Sequence, residues 1–255
     1  MTPIHVTSSA NRLLVQVRRL TRDPGAYRRT GRVWLEGDKL CSALRARGLP
    51  ALQAIVSEDA WADAGKRALA EWADEVVIVP AALFAGLSAL ESAADMGFVL
   101  TTPAAPAIDA NAASVVLDRV QDAGNVGSIL RSASALGARQ VLALQGTAAL
   151  WSSKVLRAGM GAHFGLRLIE GLSVEDLSAL HLPLVATSSH AKDLLHAVTL
   201  PTPCAWVFGH EGQGVAPELM ARCALTVRIG QPGGEESLNV AAAAAICLHE
   251  SARSA

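Results

Sequence analysis

Residues 114–137 read SVVLDRVQDAGNVGSILRSASALG, and the fold turns on how this stretch is read. Its first four residues, Ser114–Leu117, form an apolar, β-branched run of the length of a buried strand. A glycine-bearing turn follows, and then a helix that carries Asn125, Gly127 and Arg131 and that Gly137 ends. The same alternation extends outward. Upstream, helical stretches near 9–22, 38–47 and 58–72 alternate with strand-like Arg32–Leu35, Ala51–Val56, Glu75–Val79 and Gly97–Leu100. Downstream come Gln140–Leu144, Leu184–Thr187, Ala205–Phe208 and Ala224–Ile229, then a last helix from about Glu236 to Ala252. Strands separated by helices imply an α/β protein with parallel sheets covered on both faces. Residues 101–111, TTPAAPAIDAN, break every periodic pattern with Pro103 and Pro106. They predict a linker between a smaller first domain, 1–105, and a second, 106–255.

The chain has 255 residues, 51% hydrophobic and 18% charged, which excludes a disordered or fibrous protein and leaves room for two cores. The best apolar run, Val76–Leu90, is interrupted by Pro80, Gly86 and Ser88, so no membrane span is expected. Arg12, Arg18 and Arg19 occupy the place of a signal peptide's apolar segment, which points to the cytoplasm. Cys41, Cys204, Cys223 and Cys247 lie far apart without metal-site spacing and read as reduced packing residues. The net charge of −1 hides an asymmetry: seven arginines against Asp23 give the first 32 residues +6, and the remainder carries −7. A basic end suits a polyanion, although a solvated helix face has the same composition.

Familiar catalytic signatures are missing. His210-Glu211 resembles the start of a zinc-protease helix, but Gly214 stands at the second histidine's position. The turn Asp122-Ala-Gly-Asn-Val-Gly127 has the wrong glycine spacing for a dinucleotide fingerprint, which counts against a dinucleotide-dependent oxidoreductase. Three segments carry more. In the first, Asn125 is placed to cap the helix, with Arg131 near its exposed start. The second, Trp206–Val215 (WVFGHEGQGV), sets three glycines and Glu211 directly after a buried strand, where backbone can approach a ligand. The third, Val227–Glu250, runs through a Gly/Pro loop to Ser237 and Asn239 at the start of the last helix. Each segment alone is equally an ordinary cap, solvated arginine or loop.

Together and in this order the three segments resemble the signature motifs of the SpoU (TrmH-type) RNA 2′-O-ribose methyltransferases of the SPOUT superfamily. The resemblance rests on Asn125-x-Gly127-x-x-x-Arg131, on Phe208-Gly209-x-Glu211-Gly212-x-Gly214, and on Ser237-Leu238-Asn239-Val240 before an alanine-rich helix. Arg157-Ala-Gly-Met-Gly-Ala162 resembles a further family segment. Ala123, Gly159 and Ile229-Gly-Gln depart from the usual proline, serine and Ile-Pro-Met. The resemblance implies a parallel-sheet domain threaded into a deep trefoil knot and a homodimer with its active site near the interface. It implies S-adenosylmethionine as methyl donor, held by Thr187, Gly209, Ile229 and Leu238, and no metal. Arg131, Asn125, Glu211, Ser237 and Asn239 become the catalytic set, with the other four orienting Arg131, donor and ribose. Residues 31–44 (GRVWLEGDKLCSAL) resemble the L30e-like substrate-binding domain of members that act on ribosomal RNA. The expected function is methyl transfer to a ribose 2′-hydroxyl, in ribosomal RNA before transfer RNA. A catalytically silent knotted RNA-binding protein is the other possibility. On this reading Gly209→Val abolishes donor binding while the fold survives.

Overall fold

A computed structural model describes residues 2–88, 93–233 and 237–254. In chain order its elements begin with β1 (Ile4–His5), α1 (Arg12–Arg22), α2 (Ala26–Thr30), β2 (Arg32–Glu36), α3 (Asp38–Ala46) and β3 (Gln53–Ser57). Next come α4 (Glu58–Ala62), α5 (Ala64–Ala70), β4 (Glu75–Val79), α6 (Ala81–Ala85), β5 (Met96–Thr101), β6 (Ser114–Leu117) and α7 (Ala123–Ala135). Then follow β7 (Gln140–Leu144), α8 (Ser153–Gly159), β8 (Arg167–Leu172), β9 (Leu184–Thr187) and β10 (Asp193–Leu194). The last are β11 (Ala205–Phe208), α9 (Pro217–Met220), β12 (Leu225–Arg228) and α10 (Val240–Ser254). Packing divides the chain into Met1–Ala104 with Trp151–Phe164, and Ala105–Leu150 with Gly165–Ala255. A single cut after residue 105 therefore does not describe the packing, because 151–164 returns to the first unit.

The first unit is built on a five-stranded sheet in the order β1-β4-β3-β5-β2. The all-parallel expectation fails here, because β5 runs antiparallel to both β3 and β2. The stretch 58–72 is two helices, since the Asp63 side chain accepts from Lys66 N–H and starts a second one. Helix α1 buries Leu14, Val17 and Leu20 and leaves Arg12, Val15, Arg19 and Arg22 exposed. Segment 151–164 is held by the Ser153 hydroxyl, which donates to the Leu20 carbonyl at 3.0 Å. Arg157 lies 3.8 Å from the buried Glu36 carboxylate. At Gly161, φ is +90° and a Cβ would meet Ala43 Cβ at 2.6 Å, so glycine is what lets this turn close against α3.

The second unit contains a seven-stranded sheet in the order β10-β12-β9-β11-β6-β7-β8, parallel throughout. Runs such as SVVL, QVLAL and AWVF are buried along their whole length, as strands covered on both faces must be. From β6 the chain steps outward through β7 to β8, then crosses to β9 on the other side, and β11 fills the position between. Buried Gln140 ties the chain entering the sheet to it: its Nε2 donates to the Asp109 carbonyl (2.7 Å) and Ser114 Oγ (2.8 Å), and its Oε1 accepts from Asp109 N–H (3.0 Å). Two helix starts differ from expectation. Asp122 caps α7, accepting from Asn125 N–H at 2.7 Å, which places Asn125 inside the first turn. Asn239 caps α10, accepting from Ala241 and Ala242 N–H (2.9 and 3.2 Å). Glu236, the expected start of that helix, lies outside the described residues. Among the described residues no helix is long and apolar enough to cross a membrane.

Candidate active site at the carboxyl edge of the parallel sheet

Parallel strands deliver their carboxyl ends to one edge, which is where open α/β sheets bind ligands. Register places these ends side by side: Phe208 opposite Leu117, Val207 opposite Ala186, and Val227 opposite Thr187. The loops after β6, β9, β11 and β12 all leave from this edge, and the three sequence segments lie on three of them.

Glu211 joins the first two loops. Its Oε1 accepts from Asp122 N–H (3.1 Å) and Asn125 Nδ2 (3.1 Å), and its Oε2 accepts from Gln121 N–H (3.2 Å). Asn125 Oδ1 accepts in turn from Asn239 Nδ2 at 3.0 Å, which brings in the third segment. The order Glu211, Asn125, Asn239 fixes both amide orientations, because a carboxylate only accepts and Asn239 Oδ1 is already occupied by helix N–H groups. Desolvation pushes the Glu211 pKa up, but the bonds from Asn125, Asp122 and Gln121 outweigh it and hold the pKa below the ordinary carboxylate value. A carboxylate engaged by three donors is a poor base, and its bond to Nδ2 fixes the orientation of the Asn125 amide. Each asparagine keeps one amide N–H for a ligand.

The other expected residues fall around this cluster. Arg131 is exposed on α7 and makes no hydrogen bond or ion pair with any described residue. Six positions after Asn125, it is about 9 Å further along the helix and turned well away from it. Ser237 is exposed and outside α10, so it does not cap that helix. Thr187 is half-buried at the end of β9, Ile229 half-buried just past β12, and Leu238 39% exposed. A cavity of about 530 Å³ shares Ile229 with the expected donor set and is walled otherwise by Leu194, Gln231, Ile246 and Glu250 among others. Gln231 Oε1 is buried there without a hydrogen-bond partner among the described residues.

Gly209 requires a correction. A Cβ at this position would lie 2.2 Å from Gly214 C and Val215 N, so the loop's own backbone already fills the space. His210 N–H donates to the Gly214 carbonyl (3.0 Å) and Gly214 N–H to the His210 carbonyl (2.8 Å), closing the turn tightly. A valine at 209 breaks the loop itself, and the expectation that the fold survives does not hold.

Two residues outside the sequence motifs brace the same turn. Asp118 is buried and accepts from Ala216 N–H at 2.7 Å; Arg119 reaches Gln213 Oε1 at 2.9 Å. An Asp-Arg pair directly after a buried strand was the available signal, but its partners are more than 90 positions away. The glycines of the supposed dinucleotide turn, Gly124 and Gly127, lie inside α7 and form no phosphate loop. Among the described residues there is no group of three metal-ligating side chains. The cysteines are free thiols; burial pushes Cys204 and Cys223 up to about 11 and Cys247 to about 12.

Comparison with known proteins converges on one family. The chain is 34% identical over 150 residues to the 23S rRNA (guanosine-2′-O-)-methyltransferase RlmB of Bordetella pertussis, covering 57% of this chain and 61% of that protein. It thus spans less than two thirds of that relative's length. A crystal structure of an RNA 2′-O ribose methyltransferase superposes with a TM-score of 0.83 at 28% identity, covering 98% of this chain and 99% of the other. An AdoMet-bound rRNA methyltransferase from Sinorhizobium meliloti gives 0.82 at 25% identity, covering 98% and 97%. Residues 112–249, more than half of the chain and inclusive of every expected site residue from Asn125 to Asn239, match the model of the SpoU rRNA Methylase family, and the chain belongs to that family.

Proposed function

We propose that this protein transfers a methyl group from S-adenosylmethionine to a ribose 2′-hydroxyl of ribosomal RNA. The observation that carries the reading is the hydrogen-bonded series Glu211–Asn125–Asn239, which gathers the three motif segments at the carboxyl edge of a parallel sheet. A scaffold without chemistry has no need for two asparagines aimed by a carboxylate held in its ionised form. The named relatives act on ribosomal RNA, and RNA is the partner proposed here.

The site fits the donor. Its loops leave one sheet edge, and a cavity lined by apolar Leu194, Leu195, Ile229 and Ile246 with His196, Arg228 and Glu250 presents Gln231 Oε1, an acceptor without a partner among the described residues. Thr187, Gly209, Ile229 and Leu238 would hold the donor, Gly209 through its backbone. When bound, S-adenosylmethionine supplies a methyl carbon already activated by a sulfonium sulfur. The protein's task is orientation and help with one proton. Asn125 and Asn239 offer their remaining N–H groups to ligand oxygens. Arg131 grips the target phosphate and stabilises charge developing on the hydroxyl oxygen; a guanidinium stays protonated and is unsuited to abstracting the proton. Ser237 is assigned an orienting role on the ribose.

The homodimer and a knotted C-terminal region belong to the same proposal, as does a cytoplasmic setting. Exposed Ile246 and Leu238 supply apolar surface for a second copy. The first unit, with its basic α1, docks RNA. Mapping 2′-O-methyl positions in total RNA from cells with and without the gene tests the reading. Loss of a mark in ribosomal RNA supports it, loss in transfer RNA alone reassigns the substrate, and an unchanged map overturns it.

A further inference from the structure

We propose that Arg119 is a positioning residue for the donor-binding turn 209–216, acting with Asp118 as a clasp that holds Glu211 in place; the proposal rests on the cofactor reading above. Arg119 follows β6 with φ +58°, a left-handed conformation uncommon for any residue but glycine or asparagine. Its side chain explains why the conformation is kept. Nε and Nη2 donate to the two oxygens of Asp118 at 2.9 and 3.2 Å, Nη1 donates to Gln213 Oε1 at 2.9 Å, and Nη2 lies 3.5 Å from the Gly214 carbonyl. The Asp118 side chain is only 3% exposed, and its second oxygen accepts from Ala216 N–H at 2.7 Å. The turn is thus gripped at 213, 214 and 216 from β6, while Glu211 reaches the other way to residues 121, 122 and 125.

The two sets of bonds complement each other. Glu211 meets the 121–125 loop only if the turn keeps its distance from β6, and the Arg119 fork sets that distance. The stem is confined as well: a Cβ at Gly146 would come within 3.1 Å of Arg119 Cγ. The Asp118 carboxylate strengthens the hold by stabilising the charged guanidinium. Arg119 has no hydrogen bond to Asn125, Glu211 or Asn239 among the described contacts, so it acts through the turn and not on the reacting atoms.

Arg119→Gly tests this without added backbone strain, because glycine accepts the left-handed conformation. The melting temperature stays within a few degrees of wild type, while the KM for S-adenosylmethionine rises about tenfold, the scale of one charge-assisted hydrogen bond, at nearly unchanged kcat. Gln213→Ala, on the exposed side, shifts KM in the same direction, and the double variant is no worse than Arg119→Gly alone. Arg119→Lys keeps the charge but not the fork and recovers only part of the affinity. An unchanged KM, or a lower melting temperature and kcat with KM intact, overturns the proposal. Photo-crosslinking of labelled S-adenosylmethionine to the wild type separates the two levels. Label on peptides containing Thr187, the 209–229 stretch or Leu238 with an unchanged KM in Arg119→Gly rejects the clasp alone, whereas label confined to other peptides rejects the cofactor site on which it rests.

Discussion

Glu211 carries the clearest energetic signature at the scale of single residues. Against desolvation, which raises it, the bonds from Asn125 and two backbone N–H groups hold its pKa below the ordinary value of 4.5. The folded-state value therefore lies below the unfolded one. Whatever stability this difference contributes is complete above the unfolded value and disappears as pH falls through the folded one. Carbon-detected NMR titration should give a Glu211 midpoint under 4.5 that moves upward in Asn125→Ala; an unmoved midpoint removes the contact from the account. Arg131, exposed and unpaired, should be dispensable for folding. Arg131→Ala is expected to keep its melting temperature and its donor affinity while methyl transfer under single-turnover conditions falls by orders of magnitude. Near-normal transfer in both Arg131→Ala and Arg131→Lys would take Arg131 out of the mechanism. At Gly209 the expectation is loss of stability: Gly209→Ala should lower the denaturation midpoint before any ligand is added, because the contact at 2.2 Å is with backbone. Asn125, Glu211 and Asn239 were legible in sequence because motif spacing marks them. Arg119 was not, since only folding brings Gln213 to it.

Helix α1 shows how an element sorts its charges. Arg12, Val15, Arg19 and Arg22 recur at helical spacing on the face opposite Leu14, Val17 and Leu20. Other arginines of the basic end are engaged: Arg29 pairs with Asp23, Arg28 lies over the Tyr27 ring, and Arg32 bonds Thr101. The phosphate contacts proposed for this region therefore belong to α1. Replacing Arg12, Arg19 and Arg22 by Ser should lower the slope of log affinity against log salt by about 0.7–0.9 for each phosphate no longer neutralised, while the same change at Arg28 and Arg29 has a smaller effect. Equal slopes in wild type and triple variant would place the RNA elsewhere. Elements were legible where chemistry is local. The β-branched runs of β6, β9 and β11 announce buried strands, but β8 (RLIEGL) hides behind a charge and a glycine at the sheet edge. The direction of β5 is set by its antiparallel pairing with β2 and β3, which no pattern within the strand reveals.

Across the whole molecule, two distant motifs are joined in the first unit by the buried Glu36 and by Arg157, whose side chain is 22% exposed. The approach is 3.8 Å and Glu36 also accepts from the Ser88 hydroxyl, so Arg157→Met should cost about 1–3 kcal/mol in chemical denaturation, the penalty of leaving a buried charged group less well compensated. A change under about 1 kcal/mol would make the pair incidental. The return of 151–164 to the first unit was invisible in sequence because a contact between residues 36 and 157 leaves no periodic trace. The parallel sheet was legible in strand–helix alternation, and the three ordered segments marked residues that the fold brings together through Glu211, Asn125 and Asn239. The proposed activity places the methyl group on the ribose 2′-oxygen. A methylated 2′-oxygen cannot attack its neighbouring phosphodiester, so alkali leaves that linkage intact. Purified protein should be incubated with ribosomal RNA and methyl-labelled S-adenosylmethionine, and the RNA then hydrolysed in alkali. Label in alkali-resistant dinucleotides is the expected result; label confined to mononucleotides, or none transferred, would contradict it.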